Sequence, residues 1–222
     1  MDWTALALSL QLGALTVLVL LPLGIAFGRW LAVTSIRGRS ILEAATALPL
    51  VLPPTVIGFY LLVAFGQGSW FGQLWRDVVG RPLVFTFEGL LFASVIVNIP
   101  FAVQPIQRGF EAVGQELRDA AASCGMSWWR AFWRIELPLA WPSIVTAMVL
   151  TFAHTLGEFG VVLMVGGSIP GETKTIAIAI YDRVQAFDDA AAARMSGLLL
   201  LISLATITLS YALTRRTEQR RG

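Results

Sequence analysis

The sequence has few charged residues, and it contains one cysteine, one histidine and one lysine among its 222 residues. Charged residues make up 14% of the chain and hydrophobic residues 56%, whereas soluble domains carry roughly 25% charged residues. The mean hydropathy is +0.73. A water-soluble core of this length could not bury so much apolar surface. The scarcity of charge therefore excludes an ordinary soluble globular protein.

Each of the rare residue types excludes a class of site. A lone Cys124 forms neither an internal disulfide nor a multi-cysteine metal site, and a lone His154 lacks partners for one. No nucleophile and base can be assembled around this single pair. The phosphate-binding loop G-x-x-x-x-G-K-[ST] needs a lysine, and the only lysine, Lys174, lies in "GETKT". We therefore expect no catalytic residue, metal or cofactor, and no ATP hydrolysis by this chain.

Five charge-poor stretches are long enough to cross a membrane, which takes about 20 predominantly apolar residues. The first is not a cleaved signal peptide, because it lacks a basic start and is too long. The chain is expected to be an all-α membrane protein, with residues 1–222 forming a single transmembrane domain. The predicted spans are residues 5–28, 42–66, 88–108, 139–165 and 195–214.

The basic residues predict the orientation in the membrane. With five spans, the connecting segments alternate between two sides. Arginines spread in short groups indicate orientation rather than nucleic-acid binding. One side holds Arg29, Arg37, Arg39, Arg108, Arg118, Arg130, Arg134, Arg215, Arg216, Arg220 and Arg221. The other holds Arg76, Arg81, Lys174, Arg183 and Arg194. The positive-inside rule places the larger set, and the loop 109–138, in the cytoplasm. The N-terminus is then outside and the C-terminus inside.

Prolines interrupt the second span in "LPLVLPPTVIG". Proline removes a backbone donor and kinks a helix. Such a break persists in a membrane only where protein or a water-filled cavity satisfies the backbone. A packing kink and a channel-lining role both fit this pattern, so Pro53, Pro54 and Thr55 are candidate pathway or gate residues.

An acidic residue, Glu158, lies inside an apolar stretch in "LGEFG". An ionisable residue in a span is a functional candidate. We expect Glu158 to have a structural or gating role, paired with an arginine or with backbone donors. Gly157 and Gly160 flank it and would permit close approach of helices. His154, one turn earlier, is expected to pack or to make a local hydrogen bond.

The predicted cytoplasmic loop contains "DAAASCGMSWWRAFWRIELP", residues 119–138, which reads as two short helices. The first is alanine-rich, and Gly125 is expected to end it as a C-cap at positive φ. The second would present an aromatic face, flanked by arginines and closed by a proline that starts the next span. Its residues are Met126, Trp129, Phe132 and Trp133, with Arg130, Arg134 and Pro138.

Three uses fit such an aromatic face. It could pack on the chain's own helices, or lie in the lipid interface as an amphipathic helix does. It could also dock in a groove of another protein, where Trp and Arg are frequent anchors.

The same stretch resembles the cytoplasmic loop of binding-protein-dependent ABC importer permeases. That loop carries E-A-A, three residues, Gly, nine residues and I-x-L-P. This chain has Asp119-Ala120-Ala121, then Gly125, then Ile135-Glu136-Leu137-Pro138 at the same spacing. Asp119 replaces the glutamate, which keeps the charge and shortens the side chain. In that family the loop inserts into a cleft of the ATPase subunit, so the resemblance favours docking.

Two further segments resemble the molybdate permease subunits of this family. They are residues 155–184, "TLGEFGVVLMVGGSIPGETKTIAIAIYDRV", and "LPLVLPPTVIGFYLL" in the second span. The resemblance implies the type I importer fold in the bacterial inner membrane. It also implies a second permease, as in a homodimer, two ATPase subunits that bind ATP and Mg, and a periplasmic binding protein that delivers molybdate. The negative charge of Glu158 would repel an oxyanion, which agrees with a structural or gating role.

Other functions remain open from the residues alone. Within the same architecture, the anion could be tungstate, sulfate or thiosulfate, which are also tetrahedral and divalent. The chain could instead be an autonomous channel or secondary carrier. A carrier is expected to have ionisable coupling residues near the bilayer midplane, and the sequence shows no evident set of them.

Overall fold

The computed structural model describes residues 1–219, apart from the side chains of 209–211 and 213–219. Within that part of the chain every regular element is helical, so the all-α prediction is confirmed. The predicted cytoplasmic residues Arg220 and Arg221 lie outside the described residues. The elements are α1 (Trp3–Val33), α2 (Arg39–Val51), α3 (Pro54–Phe65), α4 (Trp70–Val79), α5 (Phe87–Glu111), α6 (Gln115–Ser123), α7 (Trp128–Ala131), a π-helical segment (Phe132–Glu136), α8 (Leu137–Gly157), α9 (Gly160–Gly166), α10 (Ile176–Gln185) and α11 (Asp189–Gln219).

Four helices are long and apolar enough to cross a membrane, and a bent pair supplies a fifth candidate span. The four are α1, α5, the continuous helix Trp128–Gly157, and α11 over Asp189–Thr208. The fifth is α2 with α3, which meet at an angle of 108°. All five predicted stretches are therefore helical, but the second does not run straight.

The bend between α2 and α3 follows from the two consecutive prolines. A residue that precedes proline is pushed out of the helical conformation by the proline ring. Leu52 precedes Pro53 and has ψ 140°, and Pro53 precedes Pro54 and has ψ 136°. Two extended residues in a row separate the helices. Pro54 can then begin α3, because the first turn of a helix has no use for its missing N–H.

The prediction of a fourth span over 139–165 is wrong at both ends. α8 ends at Gly157, Glu158 is extended with ψ 125°, and α9 begins at Gly160. At the other end the helix already starts at Trp128 and passes through Pro138 without a break. Pro138 lies two residues after the π-helical segment Phe132–Glu136 and does not end the helix, so the proline did not mark the boundary.

The core forms where α1 and α8 pack along α5. Fully buried side chains of α5 and α8, among them Ile106, Phe110 and Ile144, fill one apolar cluster. α1 approaches α5 closely at Gly28, where a β-carbon would lie 3.1 Å from the backbone nitrogen of Gln107. Small residues at such contacts are typical of membrane helix packing.

The ion pairs that arginine or lysine forms among the described residues lie in the two predicted sets of connecting segments or at the adjoining ends of the predicted spans. Arg29 at the end of α1 pairs with Glu136 at the start of α8, and Arg39 pairs with Glu111. At the other end of the bundle, Lys174 pairs with Asp182. None of the described pairs joins a residue of one set to a residue of the other, which agrees with the predicted alternation of sides.

Candidate functional site

The turn after α6 is held by two backbone hydrogen bonds. The N–H of Gly125 donates to the carbonyl of Ala122 at 2.9 Å, and the N–H of Met126 donates to that of Ala121 at 3.0 Å. These two bonds form a Schellman motif, in which the residue just past the C-cap adopts the left-handed backbone conformation. Gly125 supplies it with φ 75°. The predicted positive φ is confirmed, although the C-cap itself is Cys124.

The helix after this turn begins at Trp128, with the Ser127 hydroxyl accepting from the N–H of Arg130 at 3.4 Å. It changes to π-helical hydrogen bonding over Phe132–Glu136, where the Leu137 N–H reaches back to Phe132. Such π-helical insertions add a residue to one turn, so the following side chains point in new directions.

An exposed surface of aromatic and basic side chains follows from this geometry. Trp128 is 66% exposed, Trp129 54% and Trp133 51%. The Trp129 ring contacts both other rings edge-on, at centroid distances of 5.2 and 5.6 Å. Arg130 and Arg134 are exposed beside them. We call Trp128, Trp129, Arg130, Trp133 and Arg134 the tryptophan surface.

Phe132 does not belong to the tryptophan surface, contrary to the prediction from sequence. Its side chain is 8% exposed and packs in the core cluster with Ile106, and its ring stacks on that of Phe110 at 6.2 Å. Met126 is half-buried. The prediction counted helical spacing from Met126, which lies in the turn before the helix. The signal that could have found Trp128 is Ser127, a preferred N-cap residue.

The first half of the predicted motif also divides between surface and core. Asp119 and Ala120 are exposed, whereas Ala121 is buried. A carboxylate oxygen of Asp119 accepts a hydrogen bond from the Gln115 side chain at 2.8 Å. Pro138 is exposed. Asp119 and Ala120 are therefore available on the outer side of α6, and Ala121 packs α6 against the body of the protein.

A buried ion pair lies beneath the tryptophan surface. Glu136 is 3% exposed and accepts two hydrogen bonds from Arg29, at 2.8 and 2.9 Å. The Nε of Arg118, on α6, lies 3.8 Å from the same carboxylate. Nothing in the sequence pattern indicates this site, because Glu136 occupies the variable position of I-x-L-P.

The break between α8 and α9 is stabilised by the carboxylate of Glu158. The carboxylate accepts from the N–H of Val161 at 3.2 Å, as a cap does for a helix that begins there. The predicted pairing with backbone donors is confirmed. Pairing with an arginine is wrong within the described residues, where the salt-bridge partner is His154, at 3.6 Å. Glu158 is 6% exposed, and a buried carboxylate needs such partners.

His154 packs against α5, as predicted, and its hydrogen-bond contact is with that helix and not a local one. Its ring stacks on Phe101 at 4.1 Å, and its Nδ1 lies 3.1 Å from the side-chain oxygen of Asn98. Asn98 is fully buried and donates to the carbonyl of Ser94 at 2.8 Å. A chain of polar contacts therefore connects α5 to the break after α8.

The break in α8–α9 meets the bend in α2–α3. A β-carbon at Gly160 would lie 2.9 Å from the β-carbon of Pro54, so the predicted close approach at Gly160 is confirmed. The same prediction is wrong for Gly157, where a β-carbon would meet no described atom within 4 Å. Pro53, Pro54 and Thr55 are exposed at the bend. The structure thus brings Pro54 and Gly160 together and leaves Gly157 apart.

A cavity of about 840 Å³ between α1, α2 and α5 is lined almost wholly by apolar side chains, including Phe27, Trp30 and Pro49. The described residues include no group of three or more His, Cys, Asp or Glu that could hold a metal ion.

Comparison with known proteins gives consistent results. The family model for the inner membrane component of binding-protein-dependent transport systems matches residues 21–219. The molybdenum transport system permease ModB of Azotobacter vinelandii is 44% identical over 96% of this chain and 95% of its own length. The sulfate transport system permease CysW of Synechococcus elongatus is 31% identical over 96% of this chain and 74% of its own. A bacterial ABC transporter that imports alginate has a solved chain with a TM-score of 0.78 at 16% identity, covering 96% of this chain and 78% of that one.

Proposed function

Because the chain belongs to the family of binding-protein-dependent transport system inner membrane components, we propose that it carries molybdate through the membrane. The membership makes the chain a membrane permease subunit of an ABC importer and not an enzyme. The permease fold expected from the sequence is confirmed by the similarity to the alginate transporter. Molybdate is proposed as the substrate because the chain is 44% identical to the Azotobacter molybdenum permease along nearly the whole of both chains.

The tryptophan surface supports a separate ATPase as the partner. Exposed tryptophans are costly in water, and buried Trp and Arg side chains dominate the binding energy of many protein interfaces. With two permeases, two ATPase copies would each receive one such surface. ATP and Mg would be bound there, because this chain has no phosphate-binding loop. The proposed contact residues are Asp119, Ala120, Gly125, Met126, Trp128, Trp129, Arg130, Trp133, Arg134 and Pro138.

A second copy of this permease would complete the pathway. The exposed residue Pro53 precedes α3, which begins with exposed Pro54 and Thr55 and continues with exposed Phe59 and Tyr60. A helix that is hydrophobic on an exposed face needs a lipid or protein neighbour. Two copies related by a two-fold axis would bring these faces together around a central path, since homodimers with two-fold symmetry are the commonest assemblies.

Alternating access follows from the two interrupted spans. Broken helices in transporters lie where gates and pathways form, and here the α2–α3 bend touches the α8–α9 break at Gly160. Glu158 fixes the start of α9 without facing an anion, because its carboxylate is occupied by the Val161 N–H. The periplasmic binding protein supplies the affinity, and the permease opens first to one side and then to the other.

The proposal also includes the location of the chain and its orientation in the membrane. The chain lies in the bacterial inner membrane as one permease domain over 1–222. The segment with α6, α7 and the tryptophan surface faces the cytoplasm, where most arginines lie. The N-terminus faces the periplasm, as does the connection that contains Lys174.

Sulfate is the second candidate substrate, supported by the similarity to the Synechococcus sulfate permease. Tungstate and thiosulfate share its shape and charge. An autonomous channel is disfavoured by the exposed docking surface. The test is to purify the chain from its native membrane and to identify the ATPase and the binding protein that associate with it. A binding protein that selects molybdate over a tenfold excess of sulfate supports the proposal, and one that selects sulfate contradicts it.

A further inference from the structure

Glu136 is held by two arginines that come from different parts of the chain. The guanidinium of Arg29, at the end of α1, donates from Nε at 2.8 Å and from Nη2 at 2.9 Å. The Nε of Arg118, on α6, lies 3.8 Å from the same carboxylate. Glu136 itself stands at the last position of the π-helical segment, directly before α8. One buried carboxylate therefore connects α1, α6 and the long helix that ends in α8.

Only part of the hydrogen-bonding capacity of the Arg118 guanidinium is used in this arrangement. Its Nη2 donates to the carbonyl of Phe110 at 2.6 Å, which fixes α6 to the end of α5. Its buried Nε makes no hydrogen bond within the described residues. Buried donors are normally paired, and an exception calls for an explanation. A movement of about 1 Å would bring this Nε within the usual hydrogen-bond distance of Glu136.

Arg29 also touches the underside of the tryptophan surface. Its guanidinium carbon lies 5.8 Å from the centre of the Trp128 ring and 5.2 Å from that of Phe132. Both distances are within the range of cation–π attraction. Any displacement of Trp128 by a docked partner therefore acts directly on the guanidinium that holds Glu136.

We propose that Glu136 is a positioning residue for transport, through which movement of α6 and the tryptophan surface reaches α1 and α8. The inference rests on the proposed function, because it assumes an ATPase that moves this surface. Shifts of 1–2 Å at helix interfaces are typical of switching proteins. A shift of that size would bring the Nε of Arg118 within hydrogen-bond distance of the Glu136 carboxylate. Arg118 would then compete with Arg29 for the carboxylate oxygens. Movement of the ATPase would in this way displace α1 and α8.

A purely structural ion pair is the competing explanation. Such a pair would stabilise the folded permease but would not alter how much transport each ATP drives. The distinguishing readout is therefore the ratio of molybdate taken up to ATP hydrolysed, measured on the assembled complex in proteoliposomes with its binding protein. Melting temperature and ATPase co-purification report folding and docking separately.

The test compares Glu136→Gln with Glu136→Asp and with Glu88→Gln. Glu136→Gln keeps the shape and removes the charge, whereas Glu136→Asp keeps the charge. Glu88→Gln removes the carboxylate of another Arg–Glu pair, with Arg81 at the opposite end of the bundle. We expect Glu136→Gln to lower the uptake-to-hydrolysis ratio roughly tenfold, within the range typical of coupling between sites. Glu136→Asp should restore part of the ratio, and Glu88→Gln should leave it unchanged.

Arg118→Gln supplies the second arm of the test, should Glu136→Gln fail to assemble. It removes the guanidinium on α6 and leaves the Arg29–Glu136 pair in place, and we expect the same fall in the ratio. Uptake and hydrolysis that fall together, with an unchanged ratio in both variants, would overturn the inference while leaving the proposed function intact. A wild-type complex without ATP-dependent uptake would instead overturn the proposed function.

Discussion

Gly160 and Pro54 are in such close contact that a β-carbon at residue 160 would lie 2.9 Å from the Pro54 β-carbon. Real β-carbons almost never approach so closely, so a side chain there would force α9 away from α3. This contact joins two interruptions of the membrane helices, the proline bend and the break at Glu158. Both spans must therefore move together, or the contact must open, when the pathway changes shape.

Gly160→Ala is predicted to impair transport by overpacking this contact. An extra methyl group in a well-packed site costs about 1–3 kcal/mol, and here the obstructing atom belongs to a rigid proline ring. Gly157→Ala is the matched control, because a β-carbon there meets no described atom within 4 Å. The measurements are thermal unfolding of the purified permease and uptake by the reconstituted complex. Equal behaviour of the two variants would contradict the role given to the contact.

Gly125→Val is predicted to weaken binding of the ATPase without preventing membrane insertion. Residue 125 has φ 75°, where a side chain costs about 1 kcal/mol or more, and a β-branched one is the least tolerated. No described atom lies within 4 Å of the would-be β-carbon, so the cost comes from the backbone alone. Gly125→Asn is the control, since asparagine adopts this conformation more readily. Normal ATPase association in the valine variant would refute the prediction.

Trp129→Ala combined with Trp133→Ala is predicted to abolish docking while the permease stays folded. The two rings are about half exposed, so their removal leaves no cavity, whereas buried tryptophan anchors at interfaces are worth about 2–4 kcal/mol each. Phe132→Ala provides the contrast. That side chain lies in the core, and its loss should lower the permease's own stability by about 3–5 kcal/mol. Affinity for the ATPase and the melting temperature separate the two effects; a double variant that still binds would show that the surface has another use.

The orientation is predicted to leave Cys124 accessible only from the cytoplasm. Cys124 is exposed at the end of α6, so the native chain already carries one reporter. Gln73→Cys in a Cys124→Ser background places a second reporter on α4, at an exposed position. An impermeant thiol reagent added to spheroplasts should label residue 73 and spare Cys124. Labelling of Cys124 in intact spheroplasts would reverse the orientation.

The sequence sufficed for the helical class, the number of apolar stretches and the turn at Gly125. Each of these depends on local composition or on a single residue with an unusual conformation. It failed where packing decides the direction of a side chain. Phe132 has the same aromatic character as Trp133, yet Phe132 packs in the core while Trp133 is exposed. The length of the fourth span was also misjudged, because apolar residues continue through the break and only the cap formed by Glu158 marks it.

The buried site at Glu136 could not be found from spacing. Arg29, Arg118 and Glu136 are far apart in the chain, and each stands among residues that indicate something else, such as a membrane boundary or a docking segment. Only the folding of α1, α6 and α8 onto one another brings the three charges together. Close pairing of this kind becomes visible once the tertiary structure is known.

The most direct test of the account is uptake of molybdate by proteoliposomes that contain this chain, its ATPase and a molybdate-loaded binding protein. We predict that uptake requires all three proteins and ATP, and that it stops when the two tryptophans of the double variant are removed. The permease alone, at the same density in the same lipid, should carry no molybdate down a gradient. Passive flux through the permease alone at a rate comparable to the complete system would contradict the importer function and identify the chain as a channel.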